Sequence, residues 1–331
     1  MSVRGAPQLA TATPAIIGAE LVRRLVPMPD AIEASRRAFA AAAAGEITGP
    51  PRFALSSGRV LVMPAEHSSG SALIKVISMQ PDGWAQSLPS ISGGVLWIDG
   101  PTGQIAALID AGELTALRTG AASGLATDLL APRSSRVLAM LGAGGQAADQ
   151  VAGVCAVRPI REIRVHSRRR QRSEELCARL RAGHPGVAVD PAGSASEAVS
   201  GADVICTATR SAAPLFEAAD LAPAAHINAV GSYQLDMCEV PAEAFRRAAM
   251  VVIDQLEAAL AEAGDVVQAL DGGCLRREDI IEIGRLLTGD AAPAAGLTIF
   301  KSVGIAAQDW AVGELAVRRA RETGAIPGAG R

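Results

Sequence analysis

The chain has 331 residues, 49% of them hydrophobic, with a mean hydropathy of +0.25, which is enough apolar material for two domains with a large buried core. A net charge of −3 and a pI near 5.9 give no electrostatic case for nucleic acid or an anionic membrane surface. No apolar run reaches the roughly 18 residues of a spanning helix, and no charged n-region with an apolar h-region opens the chain, so the expectation is a cytoplasmic protein.

The first dozen residues carry no periodic pattern and are expected to be unstructured. Asp30 is then placed to cap the helix AIEASRRAFAAAAAG, which Gly45 closes; Glu33, Arg36 and Arg37 mark its exposed face. After Pro50 and Pro51, segments 52–55, 59–63 and 72–79 read as strands. A hairpin follows, with strands over 93–99 and 104–110 around the turn Gly100-Pro101-Thr102-Gly103. The next helix spans 112–130, GELTALRTGAASGLATDLL, and between Glu113 and Asp128 its only charge is Arg118. Its small residues predict close packing. A lone guanidinium in such a place needs an anion, which either a structural carboxylate or a bound substrate can supply.

Pro132 marks a boundary, and from Ser135 strands alternate with helices. The strands are predicted over 137–141, 160–167, 187–190, 203–208, 226–230 and 250–254, with a last one over 297–303. Helices are predicted over 146–157, 278–287 and 306–322. That alternation implies a parallel, doubly wound sheet. The first strand runs directly into Gly142-Ala143-Gly144-Gly145-Gln146-Ala147, the G-x-G-x-x-A turn of a dinucleotide-binding Rossmann domain. Gly142 permits the tight turn, Gly144 lets the backbone approach a pyrophosphate, and Ala147 lets the new helix pack on the strand. The phosphates then meet the helix N-terminus, with Gly145 and Gln146 in the same cradle.

The second strand of such a unit ends in a carboxylate when the coenzyme is NAD. Here it ends in Ser167, Arg168 and Arg169, which favours a 2′-phosphate and therefore NADP(H) over NAD(H). Lys75 and Lys301 are the only lysines among 31 basic residues, and both lie inside apolar segments. A compact ammonium with a tunable pKa differs most from a guanidinium in such places, and Lys75 is the stronger functional candidate. Five cysteines (Cys155, Cys177, Cys206, Cys238, Cys274) have neither metal-ligand spacing nor a disulfide pattern, so no metal is expected. The histidines His67, His166, His184 and His226 show no motif spacing.

Several stretches together resemble the ornithine cyclodeaminase and mu-crystallin family: Pro51-Arg52, Val62-Met63-Pro64-Ala65, Lys75-Val76, Leu88-Pro89-Ser90, LTALRT around Arg118, LGAGGQA, INAVGS from Ile227, and FKSVGIAAQD from Phe300. The resemblance implies a homodimer. It also implies a β-rich (α+β) substrate-binding and dimerisation domain from residues 1–131 plus 305–331, with a Rossmann α/β domain inserted over 132–304. Carried over position by position, Arg52, Lys75 and Arg118 match the cations that hold an amino-acid carboxylate. Ser90 matches a hydroxyl beside the nicotinamide, and Thr207, Val230, Val303 and Gly304 match positions lining coenzyme and substrate.

Two departures bear on the chemistry. Cyclodeaminases carry a Glu two residues before the Met-Pro pair and an Asp two residues after the glycine that follows INAV; here those places hold Leu61 and Tyr233. Without these carboxylates, ammonia loss lacks its proton acceptor and water-activating group. Asp236 matches an acid found in reductase-like members. The expected function is therefore reduction of a small imino acid such as pyrroline-2-carboxylate to an L-amino acid, an oxidoreductase acting on a CH–NH group. Asp236, Tyr233, the chain's single tyrosine, and a water stand as candidate proton donors. An amino-acid dehydrogenase, a cyclodeaminase with recycled NAD and a non-catalytic binding protein are the rivals.

Overall fold

The computed structural model describes residues 13–80 and 89–326. The expectation for the first dozen residues, and Leu88 of the quoted motif, lie outside them. The first sheet is built from β1 (Ala15–Ile17), β2 (Ile47–Thr48), β3 (Phe53–Ala54), β4 (Val60–His67), β5 (Ala72–Met79), β6 (Ile91–Ile98) and β7 (Ile105–Asp110). Its order is β1-β7-β6-β5-β4-β2, with β3 also on β4. Strands β4 to β7 form an antiparallel meander, and β1 joins β7 in parallel. Two-residue alternation decides what faces the core: Leu73, Lys75 and Ile77 of β5 are buried, whereas Val76 is exposed.

The buried face is covered by α1 (Ala19–Leu25), α2 (Met28–Ala43), α3 (Ala111–Leu130) and the closing helix α11 (Ala306–Glu322), which together form one apolar core. Helix α3 begins where Asp110 accepts the Glu113 backbone N–H at 2.7 Å. It is buried along nearly its whole length because it also packs on α4 (Ala147–Val157). That contact is backbone to backbone. A Cβ at Gly120 or Gly153 would collide with the facing helix, and one at Gly124 would lie 2.8 Å from the Gly153 carbonyl.

The second sheet contains β8 (Val137–Leu141), β9 (Glu162–His166), β10 (Ala188–Pro191), β11 (Val204–Thr207), β12 (His226–Ala229), β13 (Met250–Ile253), β14 (Ile280–Glu282) and β15 (Thr298–Lys301). Every pairing is parallel, in the order β10-β9-β8-β11-β12-β15-β13-β14. Apolar clusters lie on both faces, as a doubly wound sheet requires. The order reverses beside β8, and the crevice between the ends of β8 and β11 is where such sheets bind ligands.

Two expected elements differ. The helix at Asp30 starts instead at Met28 with Pro27 as its cap, since Pro29 suits a first helical turn and Asp30 pairs with Arg319 at 2.7 Å. The helix expected over 278–287 divides into a single 3-10 turn (Arg277–Asp279), β14 and the short α10 (Ile283–Thr288). Ile280 and Ile281 extend the sheet edge on β13, and Gly284 lets α10 pack closely on α2, where a Cβ would lie 2.7 Å from that of Ala43 and 3.1 Å from the Phe39 carbonyl.

Candidate active site

The glycine turn follows from β8. Gly142 has φ +110°, and a Cβ there would lie 2.7 Å from the Ala208 carbonyl, so only glycine fits. Its N–H donates to the His166 carbonyl at 2.8 Å, tying the turn to the end of β9. No described residue stands within 4 Å of a Cβ built at Gly144, while Ala147 is fully buried. Asp149, the acidic residue in the first turn of α4, is turned onto Arg23 at 2.9 Å, which leaves the helix start free of its charge. This open cradle fits a dinucleotide pyrophosphate.

Past β9, the Ser167 hydroxyl donates to the Arg169 carbonyl at 2.8 Å and accepts from Ser173 at 3.1 Å. Arg168 is exposed, and Arg169 caps α5 (Arg170–Gly183), whose first turn has no acid. Ser90 sits across the cradle, its hydroxyl 4.0 Å from a Cβ built at Gly145.

A cleft of about 60 Å³ opens beside the turn. Gln146 lines it from the coenzyme side; Thr115, Arg118 and Thr119 from α3; Val230 and Tyr233 from the segment after β12; and Ser302, Val303 and Gly304 from the segment after β15. Leu61, Met63, Ile77, Met79 and Ile91 supply an apolar wall, with Arg52 at its edge. The Thr115 hydroxyl is buried and has no hydrogen-bond partner among the described residues.

The cations are organised by carboxylates. Asp309 of α11 accepts from Lys75 Nζ at 2.6 Å through one oxygen and from Arg118 Nε at 3.1 Å through the other. Arg118 Nη1 also donates to Gln308 Oε1 at 3.3 Å. The anion that Arg118 demanded is therefore structural, although the guanidinium still faces the cleft. Burial lowers the Lys75 pKa to about 7, with Asp309 opposing the fall and Arg118 adding to it. Arg52 donates to Glu262 at 2.7 Å, to the Val303 carbonyl at 2.9 Å and to the Tyr233 carbonyl at 3.5 Å. Burial raises the Glu262 carboxyl, and Arg52 opposes it.

The segment after β15 is shaped by Asp254, whose Oδ2 accepts from Ser302 Oγ at 2.8 Å, Val303 N at 2.9 Å and Gly304 N at 2.7 Å. Gly304 has φ +84°, and a Cβ there would strike the Arg118 guanidinium. Among the candidate proton donors, Tyr233 lines the cleft with its hydroxyl pKa raised, by burial first, while Asp236 is exposed to solvent away from the cleft lining. Thr207 stands at the end of β11, outside the cleft lining. It is fully buried and gives its hydroxyl to Glu239 at 2.8 Å.

The sequence reading missed Asp309, Asp254, Glu262 and Glu239. Asp309 lies in a motif already quoted and Asp254 at the end of a strand already predicted, and the signal for Asp309 and Glu262 is chemical: a buried or half-buried cation implies a carboxylate beside it.

A parallel sheet with a glycine turn at its switch point, opening onto a cleft that Arg118 lines while its ion-pair neighbour Lys75 lies buried outside the lining, defines a dinucleotide-binding protein with a site for a small molecule. The chain belongs to the ornithine cyclodeaminase/mu-crystallin family, whose sequence pattern matches residues 13–324. It is 34% identical over 320 residues to a Delta(1)-pyrroline-2-carboxylate reductase of Bacillus cereus, covering 93% of this chain and 97% of that one. It is 35% identical over 292 residues to the ketimine reductase mu-crystallin of Mus musculus, covering 86% and 89%. The solved structure of Thermococcus litoralis Delta(1)-pyrroline-2-carboxylate reductase in complex with NADH and L-proline superposes with a TM-score of 0.90 at 29% identity, over 95% of this chain and 100% of that one.

Proposed function

We propose that the chain is an NAD(P)H-dependent reductase of a small imino acid, pyrroline-2-carboxylate or a related ketimine, giving an L-amino acid. The observation that carries this reading is the placement of Arg118, and of a Thr115 hydroxyl without a hydrogen-bond partner among the described residues, in the same cleft as Gln146 of the glycine turn. Leu61 and Tyr233 stand in that cleft where cyclodeaminases carry carboxylates. A bound reduced nicotinamide supplies hydride to the imine carbon. The chain's own residues bind and orient: Arg118 and Thr115 hold the substrate carboxylate, and the apolar wall from Leu61 to Ile91 accepts uncharged methylenes. Lys75 Nζ, with a pKa near 7, holds a proton that can be released at working pH. Tyr233 is the second group able to give the imine nitrogen its proton.

Three finer readings belong to this proposal. Ser167, Arg168 and Arg169 favour NADPH over NADH, because positive side chains at the end of β9 suit a 2′-phosphate. Residues 1–131 with 305–331 form the substrate-binding and dimerisation domain around the dinucleotide-binding 132–304. The first sheet keeps an exposed apolar face in Ile16, its β7 neighbour Leu108, and Val76, which supports a homodimer through that face. Among the described residues no helix is long and apolar enough to cross a membrane.

The test is coenzyme oxidation with pyrroline-2-carboxylate, piperideine-2-carboxylate, or pyruvate plus ammonia, run beside ammonia release from ornithine. Oxidation with a cyclic imino acid is expected. Ammonia release without added coenzyme would replace the reductase with a lyase.

A further inference from the structure

Lys301, the second of the two lysines, is not part of the cleft. It lies fully buried on β15, paired with Asp265 Oδ2 at 3.0 Å. Asp265 stands in the first turn of α9 (Gly264–Asp271). A Cβ at Gly264 would lie 2.7 Å from the Gln234 carbonyl and 2.9 Å from that of Leu235, so glycine brings α9 tightly onto the segment after β12. There the other Asp265 oxygen accepts the backbone N–H of Glu239 at 2.6 Å.

Glu239 is itself fully buried. One of its carboxylate oxygens accepts from Thr207 Oγ1 at 2.8 Å, Gly231 N at 2.8 Å and Ser232 N at 3.2 Å; the other accepts from Thr209 N at 2.5 Å. Four donors converge on one side chain, so it acts as an acceptor throughout. It fastens the end of β11 to the end of β12. These are the segments that meet both halves of the site: Ala208 lies against Gly142 of the glycine turn, and Val230 and Tyr233 flank Gly231 and Ser232 on the cleft wall.

We infer that Glu239, held by Asp265 and Lys301, is a positioning residue for the nicotinamide half of the dinucleotide. This rests on the proposed coenzyme-dependent function. The adenosine ribose belongs at the end of β9 and the pyrophosphate at the glycine turn, so the nicotinamide side falls to the ends of β11 and β12, which Glu239 joins. An amide at position 239 has one acceptor oxygen instead of two, and either Thr209 or the Gly231–Ser232 pair loses its partner.

The test compares two ligands on the full-length protein by calorimetry. One is the coenzyme that the wild-type chain binds more tightly, NADH or NADPH; the other is its nicotinamide-free counterpart, ADP-ribose or 2′-phospho-ADP-ribose. Glu239→Gln is expected to weaken the coenzyme about tenfold and the counterpart less than about twofold. Thr207→Val removes one donor, keeps side-chain shape, and is expected to weaken the coenzyme about threefold with the counterpart unchanged; it decides the matter by the same criterion if Glu239→Gln does not fold. Equal weakening of both ligands, or unchanged coenzyme binding, would overturn the positioning role. A wild-type chain that binds neither ligand would overturn the proposed function, and this inference with it.

Discussion

Asp309 pairs with two cations at once, Lys75 buried behind the cleft and Arg118 on its lining. Lys75 is fully buried with a pKa near 7, so it carries its proton below that pH and loses it above. Reduction that draws on this proton should show kcat/KM falling as pH rises through about 7; a profile flat across that range would remove Lys75 from the chemistry. The same lysine affects stability. Its ordinary pKa is 10.5, so between about 7 and 10.5 the unfolded chain binds one more proton than the folded one, and stability should rise with pH across that window. Lys75→Met should flatten the rise in denaturation midpoints taken at several pH values. Arg118→Ala removes a charge from the cleft lining and leaves Asp309 one partner short; under the proposed function kcat/KM should fall at least about tenfold, roughly 1.4 kcal/mol of transition-state stabilisation. Lys75 and Arg118 stood out in the sequence because a lysine in an arginine-rich chain and a charge in a small-residue helix are both anomalies. Their counterion did not, because Asp309 lies 234 residues from Lys75 and 191 from Arg118, and a single chain gives no register between such distant segments.

At the scale of elements, the strands with clean alternation or unbroken apolar runs were legible: β5 and β8 coincide with the expected segments, and α11 begins and ends where its pattern does. The helix expected over 278–287 was misread because Ile280 and Ile281 satisfy both a helical stripe and a sheet edge, and only tertiary pairing with β13 decides. β1 was missed for a related reason, since three residues carry too short a pattern to stand out. The glycines of α3 and α4 carry a tight constraint on the fold. Gly153→Val should destabilise the protein by about 1–3 kcal/mol through overpacking, read as a lowered Tm. Gly183→Ala, at the end of α5 with no described residue within 4 Å of the new Cβ, is the control and should leave Tm unchanged or slightly raised. Equal effects of the two changes would contradict the close backbone contact.

At the scale of the whole molecule, the glycine turn of the second sheet and the cleft lined by both sheets lie side by side. Gln146 belongs to both, and Arg52 reaches across to Glu262 and the Val303 carbonyl. The proposed preference for NADPH rests on residues away from that junction, at the end of β9. Arg168→Ala should raise KM for NADPH much more than for NADH, and equal increases would contradict the 2′-phosphate reading. The central claim is hydride transfer to an imino-acid carbon, and the most direct measurement follows the transferred atom. With reduced coenzyme deuterated at nicotinamide C4 and pyrroline-2-carboxylate as substrate, mass spectrometry should find one deuterium on the α-carbon of the L-proline formed. Proline without deuterium, or no proline while ornithine loses ammonia and the coenzyme stays unchanged, would contradict it.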